Sequence, residues 1–496
     1  MSVDSRETEP LLSGQSGSEI DEEGGGKNEV EIKPSWAERL QESKILLKYT
    51  APVYTTHLLE HLILIATMVS IGHLSLEALA ASALGGMMAS LTGWSIAHGF
   101  ASALDSLLPQ AWTSEHQYHV GLWTQRMIVL MGLVNIPILC IWHNAESVLL
   151  VFHQEPEIAR LAAIYLKWLS IGLPAYCFNI VIRRYFQAQG IIHVSSQIIA
   201  IIAPVNALLN WLLVWGPQPI RLGFIGGPIA TAISFNLISI YFVIYGIWYA
   251  PRSAWHPISS RSFHSLGSLL KLGLAGVGQV ASSWWSWTFV GFMASQFGPV
   301  ALATHIVLLS SASTSYQGPY SLSVATPIRI GNLLGAGQGR KARITAEVSL
   351  CLSLLYALCV GLVFFIFRKQ WGYMFNSDEV MVRLVSDIMP LVAVFQIADG
   401  MSVVSGGALR ARGRNSLGAL ISITGFYVIG IPLGVYLAFS WNMGLFGLWI
   451  GLASALWYSA AVSTYVILRT DWVKEGLRVC DRLEKDDESP QEIVQA

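Results

Sequence analysis

The sequence predicts an all-α polytopic membrane protein with twelve transmembrane helices in two parallel six-helix repeats. The first observation is composition: 53% of the 496 residues are hydrophobic and 12% are charged, against about 25% charged in a typical soluble domain. The second is that long apolar runs recur along almost the whole chain, and about 20 such residues span a bilayer as a helix. The third is an internal similarity between the two halves of the chain.

Apolar runs bounded by charged residues, proline or glycine predict the individual spans. Their predicted bounds are 47–71, 84–111, 123–143, 158–184, 194–216, 223–249, 265–296, 301–328, 344–367, 382–408, 416–440 and 445–469. Basic residues concentrate in the even-numbered connections, such as Arg183 with Arg184 and Arg410 with Arg412. Because cytosolic loops carry the excess of Lys and Arg, both termini are predicted to lie in the cytosol.

The internal repeat divides the chain into two predicted lobes. LGFIGGPIATA (222–232) resembles MGLFGLWIGLA (443–453), and corresponding positions lie roughly 220 residues apart. We expect an N-lobe over 45–250, a cytosolic linker over 251–264 and a C-lobe over 265–470. Residues 1–44 are predicted to be a disordered cytosolic tail, in which Glu7, Leu11 and Leu12 resemble a sorting signal, and 471–496 a solvated cytosolic tail. Parallel repeats are typical of transporters whose site lies between the halves.

Charge and cysteine usage narrow the possible partners. The net charge of −1 gives no electrostatic reason for nucleic acid to bind. The five cysteines are scattered without a CxxC pair, and no P-loop is present to bind ATP. We therefore expect no cofactor and no enzyme activity, and the apolar spans make the lipid bilayer a partner.

Eight motifs in order resemble one transporter family. They are SIGHLSLEALAASAL, SALDSLLPQA, YFQAQG, PVNALLNW, GFIGGPIATAIS, WWSW, PIRIGNLLGAGQ and DGMSVVSGGALRARGRNSLGALISITGFYVIGIPLG. Over about residues 45–470 the chain resembles the MATE family, multidrug and toxic compound extrusion transporters, in its eukaryotic branch. The resemblance implies a monomeric twelve-helix, two-lobe antiporter in a vacuolar, endomembrane or plasma membrane. It implies a small organic substrate that is exported in exchange for protons or sodium, with protons the main coupling ion of the eukaryotic branch.

Individual residues match the family's motifs, and others depart from them. By resemblance, Asp105 occupies the L-D-T-L aspartate of the second helix, and Asp399 occupies an acidic position of the tenth. Arg329, Gly331 and Asn332 match R-V-G-N at the cytosolic end of the eighth helix. Ser283, Thr288 and Ser310 stand where the family commonly has glutamates, and Pro109 replaces a glycine before Gln110. These departures favour neutral or weakly charged aromatic substrates, although a cation could still bind through Asp399.

The stretch HLLEH places His57, Glu60 and His61 inside the first predicted span. The string fits the H-x-x-E-H pattern of a zinc-peptidase class, so one alternative is an intramembrane zinc hydrolase. A second is a proton site, in which Glu60 exchanges protons with help from the two histidines. A third is that all three residues simply hydrogen-bond inside the bundle. The spacing predicts that they share one flank of the helix.

Further candidates line the predicted cavity. Asp399 is expected to take part in proton coupling or substrate binding, and Asp105 either in coupling or in a structural pairing with an arginine. His98 is expected to partner Asp105 on one side and Glu60 across the bundle, and His305 to reach the membrane interface. A substrate cavity is predicted from Trp284, Trp285, Trp287, Ser283, Thr288, Ser310, His98, Tyr316 and Gln317, with Tyr316 and Gln317 at a break in the eighth helix. A lipid flippase of related architecture is a further alternative.

Overall fold

The computed structural model describes residues 34–115, 117–152, 154–375 and 378–488, and within them it contains helices and no strands. We call residues 36–250 the N-half and residues 266–488 the C-half. The N-half contains α1 (Trp36–Gly72), α2 (Leu76–Ala89), α3 (Ser95–Ala101), α4 (Leu104–Trp112), α5 (His119–His143), α6 (Ala145–Val151), α7 (Pro156–Leu169), α8 (Leu173–Ala188), α9 (His193–Trp215) and α10 (Gly226–Trp248). The C-half contains α11 (Leu266–Ser295), α12 (Pro299–Gly335), α13 (Gly339–Trp371), α14 (Glu379–Ala411), α15 (Asn415–Ile423), α16 (Ile431–Val435), α17 (Gly444–Leu468) and α18 (Trp472–Glu488).

The membrane-spanning prediction agrees with this helix set. Among the described residues, 10 helical runs are long and apolar enough to cross a bilayer. The predicted spans at 265–296 and 301–328 correspond to α11 and α12, which have 30 and 37 residues but are less apolar. A total of twelve spans therefore stays a prediction that includes these two more polar helices.

The ends of the chain differ from the sequence prediction. Residues 36–44, predicted to belong to a disordered tail, form the first turns of α1, where the buried Glu42 interrupts the apolar pattern. Residues 472–488 form α18 rather than a solvated tail. Its Trp472 and Val479 are each 4% exposed, because one face of this amphipathic helix packs on the end of the C-half. Residues 1–33, including the possible sorting signal at Glu7, lie outside the described residues.

Each half has its own apolar core. The largest cluster of buried apolar side chains is drawn almost entirely from the N-half and includes Trp142 and Phe186. The next lies in the C-half and includes Phe395 and Trp449. Separate cores allow two halves to move as bodies, because packed interiors resist deformation while the seam between them can rearrange. This division supports the proposal of two lobes.

The two halves meet along a seam where glycines allow backbones to touch. A Cβ atom at Gly99 of α3 would lie 2.4 Å from the Val277 Cα of α11, and one at Gly276 would lie 2.2 Å from the Gly99 carbonyl oxygen. At Gly331 of α12 a Cβ would come within 2.7 Å of Pro109 in α4. We call the end of the molecule that carries these approaches, together with the starts of α1 and α13, the sealed end.

Candidate functional site

A polar cluster lies where α1, α4, α8, α12 and α14 approach one another above the sealed end. Its centre is Tyr320 of α12, whose ring stands 4.9 Å from that of His57 and 5.5 Å from that of Tyr316. The Tyr320 hydroxyl is within Coulombic range of two carboxylates and two guanidinium groups, those of Glu60, Asp105, Arg184 and Arg410. We call this group, together with Asp399 and Arg183, the central cluster.

In the N-half, the carboxylate of the HLLEH stretch is ion-paired. Arg183 of α8 donates from Nη1 to Glu60 Oε2 at 3.2 Å and from Nη2 to Glu60 Oε1. His57 Nδ1 lies 3.2 Å from the same Oε2. His61, which was predicted to share their flank, is exposed on the outer surface of α1. The spacing places His61 one turn from His57, but Glu60 and His61 are at i and i+1, which do not face each other on a helix. The expectation that His61 joins Glu60 in one site was therefore wrong.

No described residues support the zinc alternative. Within the described part of the chain, no group of His, Cys, Asp or Glu side chains could hold a metal ion. His57 pairs with Glu60, whereas His61 is exposed on α1, so the string H-x-x-E-H does not build a ligand set among the described residues.

We predict that Glu60→Gln destabilises the protein. The Arg183 side chain is 8% exposed and would lose its counter-charge, and breaking a buried ion pair costs about 3–5 kcal/mol. Since the Glu60 side chain is 29% exposed, we expect the loss of stability to lie near the lower end of this range, about 3 kcal/mol. Thermal unfolding in detergent measures this loss. The double variant Glu60→Gln/Arg183→Gln should recover most of it, and no recovery would contradict the pairing.

His98 contacts different partners from those expected. Its Nε2 lies 3.0 Å from the Tyr176 hydroxyl, and its ring centroid lies 5.9 Å from that of Trp284. Glu60 is within Coulombic range of the His98 ring but makes no direct hydrogen bond to it. The prediction that Asp105 and Glu60 are direct partners of His98 was wrong, because Tyr176 of α8 is the hydrogen-bond partner of the ring. The sequence does not show which helix faces the histidine.

Asp105 joins the two halves. It accepts from Arg184 Nε of α8 at 2.8 Å through Oδ1 and from Arg410 Nε of α14 at 3.0 Å through Oδ2. Arg410 Nη2 also donates to the Ser323 carbonyl oxygen at 3.2 Å, a carbonyl that Pro327 leaves without its intrahelical donor. The structural pairing of Asp105 with arginine, one of the two expectations, matches these bonds. We call Arg184–Asp105–Arg410 the Asp105 bridge.

A second ion pair crosses the seam closer to the sealed end. Arg329 of α12 donates to both oxygens of Glu42, at 3.0 and 2.7 Å, and Thr345 of α13 donates to Glu42 Oε2 at 3.0 Å. Glu42 and Arg329 are 5% and 6% exposed. The motif containing Arg329 pointed to this position, but its partner was missed because Glu42 fell within the predicted tail. The available signal was an arginine directly after the predicted span 301–328, because a charge that becomes buried there needs a partner.

Further hydrogen bonds cross the seam between the halves, most of them near the sealed end. Gln110 Nε2 donates to the Ala411 carbonyl oxygen at 2.6 Å, and its Oε1 accepts from Arg482 of α18. Thr113 Oγ1 donates to the Asn332 carbonyl oxygen at 2.8 Å. One hydrogen bond between the halves lies farther from the sealed end than the others in the described part of the chain. In it, Trp285 Nε1 donates to the Leu91 carbonyl oxygen at 3.0 Å.

Asp399 differs from the other carboxylates of the central cluster. It is 8% exposed on α14, yet within the described residues it has neither a hydrogen bond nor an ion pair. Tyr316 of α12 is within its Coulombic range, and its neighbour Gly400 faces Pro319 and Ser353. An ionised carboxylate buried without a cation is costly, so this group is placed to bind a proton.

The three tryptophans that were predicted to line one cavity lie in three different environments. Trp284 faces His98 of the N-half, Trp285 is 43% exposed, and Trp287 packs edge-on against Phe395 at 5.6 Å in the C-half core. The single cavity was wrong for Trp287, because successive helical residues point about 100° apart. At the substituted glutamate positions, the hydroxyls of Ser283 and Thr288 donate to carbonyls of their own helix, and Ser310 is half-buried.

The predicted break at Tyr316 and Gln317 is absent, since α12 is continuous from Pro299 to Gly335. Pro319 removes the hydrogen bond that would reach the Ser315 carbonyl. The Tyr356 hydroxyl of α13 donates to that carbonyl instead, at 3.0 Å. The helix therefore passes through the proline with its freed acceptor satisfied, and Tyr316 stacks on Tyr320 in the central cluster.

Comparisons with known proteins agree with this architecture. The protein-family model described as MatE matches residues 52–212 and 276–436, once in each half. An uncharacterized transporter of Schizosaccharomyces pombe is 35% identical over 432 residues, covering 87% of this chain and 80% of that protein. Multidrug and toxin extrusion protein 1 of Homo sapiens is 30% identical over 91% of this chain and 80% of that protein.

Among solved structures, the eukaryotic MATE transporter AtDTX14 superposes with a TM-score of 0.84 at 27% identity. The match covers 90% of this chain and 99% of that one. The resemblance noted in the sequence is thereby confirmed at the level of both sequence and fold. The chain belongs to the MATE family of multi-pass membrane transporters.

Proposed function

We propose that this chain is a proton-coupled antiporter that exports small organic compounds, such as secondary metabolites or xenobiotics, from the cytosol. The observation that carries the proposal is Asp399 of the central cluster, a buried carboxylate for which the described residues provide no ion-pair partner. Glu60 and Asp105 are each held by arginine, so they are less suited to exchange a proton. The naming of the human relative as an extrusion protein supports the direction of transport.

Charge balance in the central cluster supports neutral or weakly basic aromatic substrates. Its acidic and guanidinium side chains are equal in number, Glu60, Asp105 and Asp399 against Arg183, Arg184 and Arg410. With Asp399 ionised the cluster is neutral, and with Asp399 protonated it carries one excess positive charge. Protonation therefore repels a cation and attracts an anion. Antiport requires the proton and the substrate to oppose each other, which disfavours anionic substrates.

The proposed transport cycle is alternating access of an N-lobe (45–250) and a C-lobe (265–470), joined by a linker over 251–264. The positive-inside bias assigns the sealed end and both termini to the cytosol, so the structure corresponds to a state closed toward the cytosol. Proton binding at Asp399 would favour substrate release on the other side. The Asp105 bridge and the Glu42–Arg329 pair would separate when the cytosolic side opens.

One proton supplies enough energy for detoxification. A charge that crosses 100 mV contributes about 2.3 kcal/mol, and a gradient of one pH unit contributes about 1.4 kcal/mol. We further propose that the protein is a monomer, that it resides in a vacuolar, endomembrane or plasma membrane, and that its coupling ion is the proton rather than sodium. The hydrolase and flippase alternatives have no support in the described residues, which hold no metal-ligand group, or in the comparisons, which match MATE transporters.

The test is transport by purified full-length protein in liposomes that contain a pH-sensitive dye. A proton gradient is imposed, and neutral, basic and acidic aromatic compounds are added in turn. We expect neutral and basic compounds to evoke proton movement opposite to their own, and acidic compounds to evoke none. Sodium-dependent flux without proton movement would contradict proton coupling, and protein-free liposomes with the same compounds exclude passive permeation.

A further inference from the structure

His305 lies in the C-half core with neither ring nitrogen bonded to protein. It sits near the beginning of α12 and is 1% exposed. Neither its Nδ1 nor its Nε2 has a hydrogen-bond partner in the described part of the chain. Its ring centroid stands 5.8 Å from that of Trp449 on α17, and Nε2 would lie 3.3 Å from a Cβ at Gly291 on α11. The expectation that it reaches the membrane interface was wrong.

Burial of such a ring without partners needs an explanation. A neutral imidazole always carries one N–H donor and one nitrogen acceptor, and buried polar groups normally find partners. His57 and His98 each have one partnered ring nitrogen, since they pair with Glu60 and Tyr176. His98 Nδ1 is buried without a partner among the described residues, whereas His305 lacks a partner at both nitrogens. The neighbours of His305 on α11 and α17 are Gly291 and Trp449. Among the described residues, no acidic or basic side chain forms an ion pair or a hydrogen bond with its ring.

Two further buried polar atoms without partners belong to residues near His305 or near Asp399. The Trp449 ring neighbours both the His305 ring and the Phe395 ring, at centroid distances of 5.8 and 6.0 Å. Trp449 Nε1 and Gln396 Nε2 are buried without hydrogen-bond partners in the described part of the chain. Gln396 follows Phe395 on α14, and Asp399 lies one turn farther on, at the i+3 spacing that places helical side chains on one flank.

We propose that His305 is a proton-relay residue of the C-half, which takes up protons on the non-cytosolic side of Asp399 and delivers them to it through ordered water beside Trp449 and Gln396. A proton adds to the unprotonated ring nitrogen, the N–H bond of the other nitrogen breaks, and its proton passes to water. The water passes a proton to the Asp399 carboxylate. The imidazole ends neutral in its other tautomer, and Asp399 ends as a carboxylic acid. This relay rests on the proposed function.

The first test detects proton binding at His305 without any transport. A protonated imidazole quenches a neighbouring indole, so tryptophan emission of the purified full-length protein is titrated against pH. We expect a reversible quenching step in the wild type that is lost in both His305→Gln and Trp449→Phe. The control is His61→Gln, whose exposed ring should leave the step unchanged. The His98 ring also stands near a tryptophan, Trp284, so any step from that pair remains in both variants. A titration curve of His305→Gln that is identical to that of the wild type overturns the proposal.

The second test asks whether that proton serves transport. In liposomes, His305→Gln should lower substrate-evoked proton flux by about a hundredfold, within the range for positioned acid–base groups. Exchange of labelled for unlabelled substrate at symmetric pH should stay at the wild-type rate. Full flux in the variant, or equal loss of flux, exchange and melting temperature, overturns the relay. If the wild type itself shows no proton flux, the proposed function fails, and the fluorescence titration still decides whether His305 binds a proton.

Discussion

Asp399→Asn is expected to abolish substrate-evoked proton flux while leaving the protein folded and able to exchange substrate. Asparagine has nearly the same shape but cannot be ionised, so the central cluster would keep its excess positive charge throughout the cycle. Asp399 has no ion pair to lose among the described residues, and an unpartnered buried carboxylate is costly. The melting temperature should therefore stay level or rise, in contrast to Glu60→Gln.

Flux and exchange in the same liposomes provide the measurement. We expect proton flux to fall by at least about a hundredfold, as for other positioned acid–base groups. Asp399→Glu is the matched control, because it retains the titratable group and should retain part of the flux. Normal proton flux in Asp399→Asn would show that another group carries the coupling proton.

Asp105→Asn is expected to open the sealed end. The variant leaves Arg184 and Arg410, whose side chains are 15% and 10% exposed, facing each other without a counter-charge. Removing one partner of a buried pair costs about 3–5 kcal/mol. Because the two arginines separate and become hydrated when the halves part, this cost falls mainly on the sealed state. Each 1.4 kcal/mol shifts the population about tenfold, so a shift of about a hundredfold or more is expected.

Cysteine labelling at the seam measures this opening. Ser102, which is 2% exposed and whose Oγ lies 2.2 Å from a Cβ built at Gly276, is replaced by cysteine in a chain without its other thiols. Labelling from the cytosolic side should be slow with Asp105 present and fast in Asp105→Asn. Glu347→Gln is the matched control, since the Arg39–Glu347 pair also crosses the seam but is partly exposed, and such surface pairs contribute little. Equal labelling of all three proteins would contradict a locking role for the Asp105 bridge.

The helices were predictable from the sequence because bilayer thickness imposes their length and apolarity. The last predicted span, 445–469, lies within one residue of α17, which runs from Gly444 to Leu468. The same reliance on apolar runs made the prediction miss the early start of α1 and the whole of α18. The buried faces of these segments carry charged residues: Glu42 pairs across the seam with Arg329, and Glu475 pairs with Arg414. A criterion based on apolar runs rejects such segments.

The pairings of the candidate site could not be read from the sequence. Asp105 and Arg410 are separated by 305 positions, and nothing local to either residue names the other. The HLLEH stretch shows the opposite problem, because its letters suggest a joint site while the helix turns His61 away from Glu60. Asp399 was found as a candidate through the family motif. Its isolation from arginine, which distinguishes it from Glu60, appeared only once α12 and α14 were placed together.

The most direct measurement compares substrate-evoked proton flux in Asp399→Asn with that in the double variant Glu60→Gln/Arg183→Gln. The double variant removes the Glu60 carboxylate together with the guanidinium group that pairs with it. Both proteins are reconstituted at equal amounts, and folding is verified by their melting curves. We predict that the first loses proton flux but exchanges substrate, whereas the second retains both. Retained flux in Asp399→Asn together with lost flux in the double variant would contradict the account and would assign the coupling proton to Glu60.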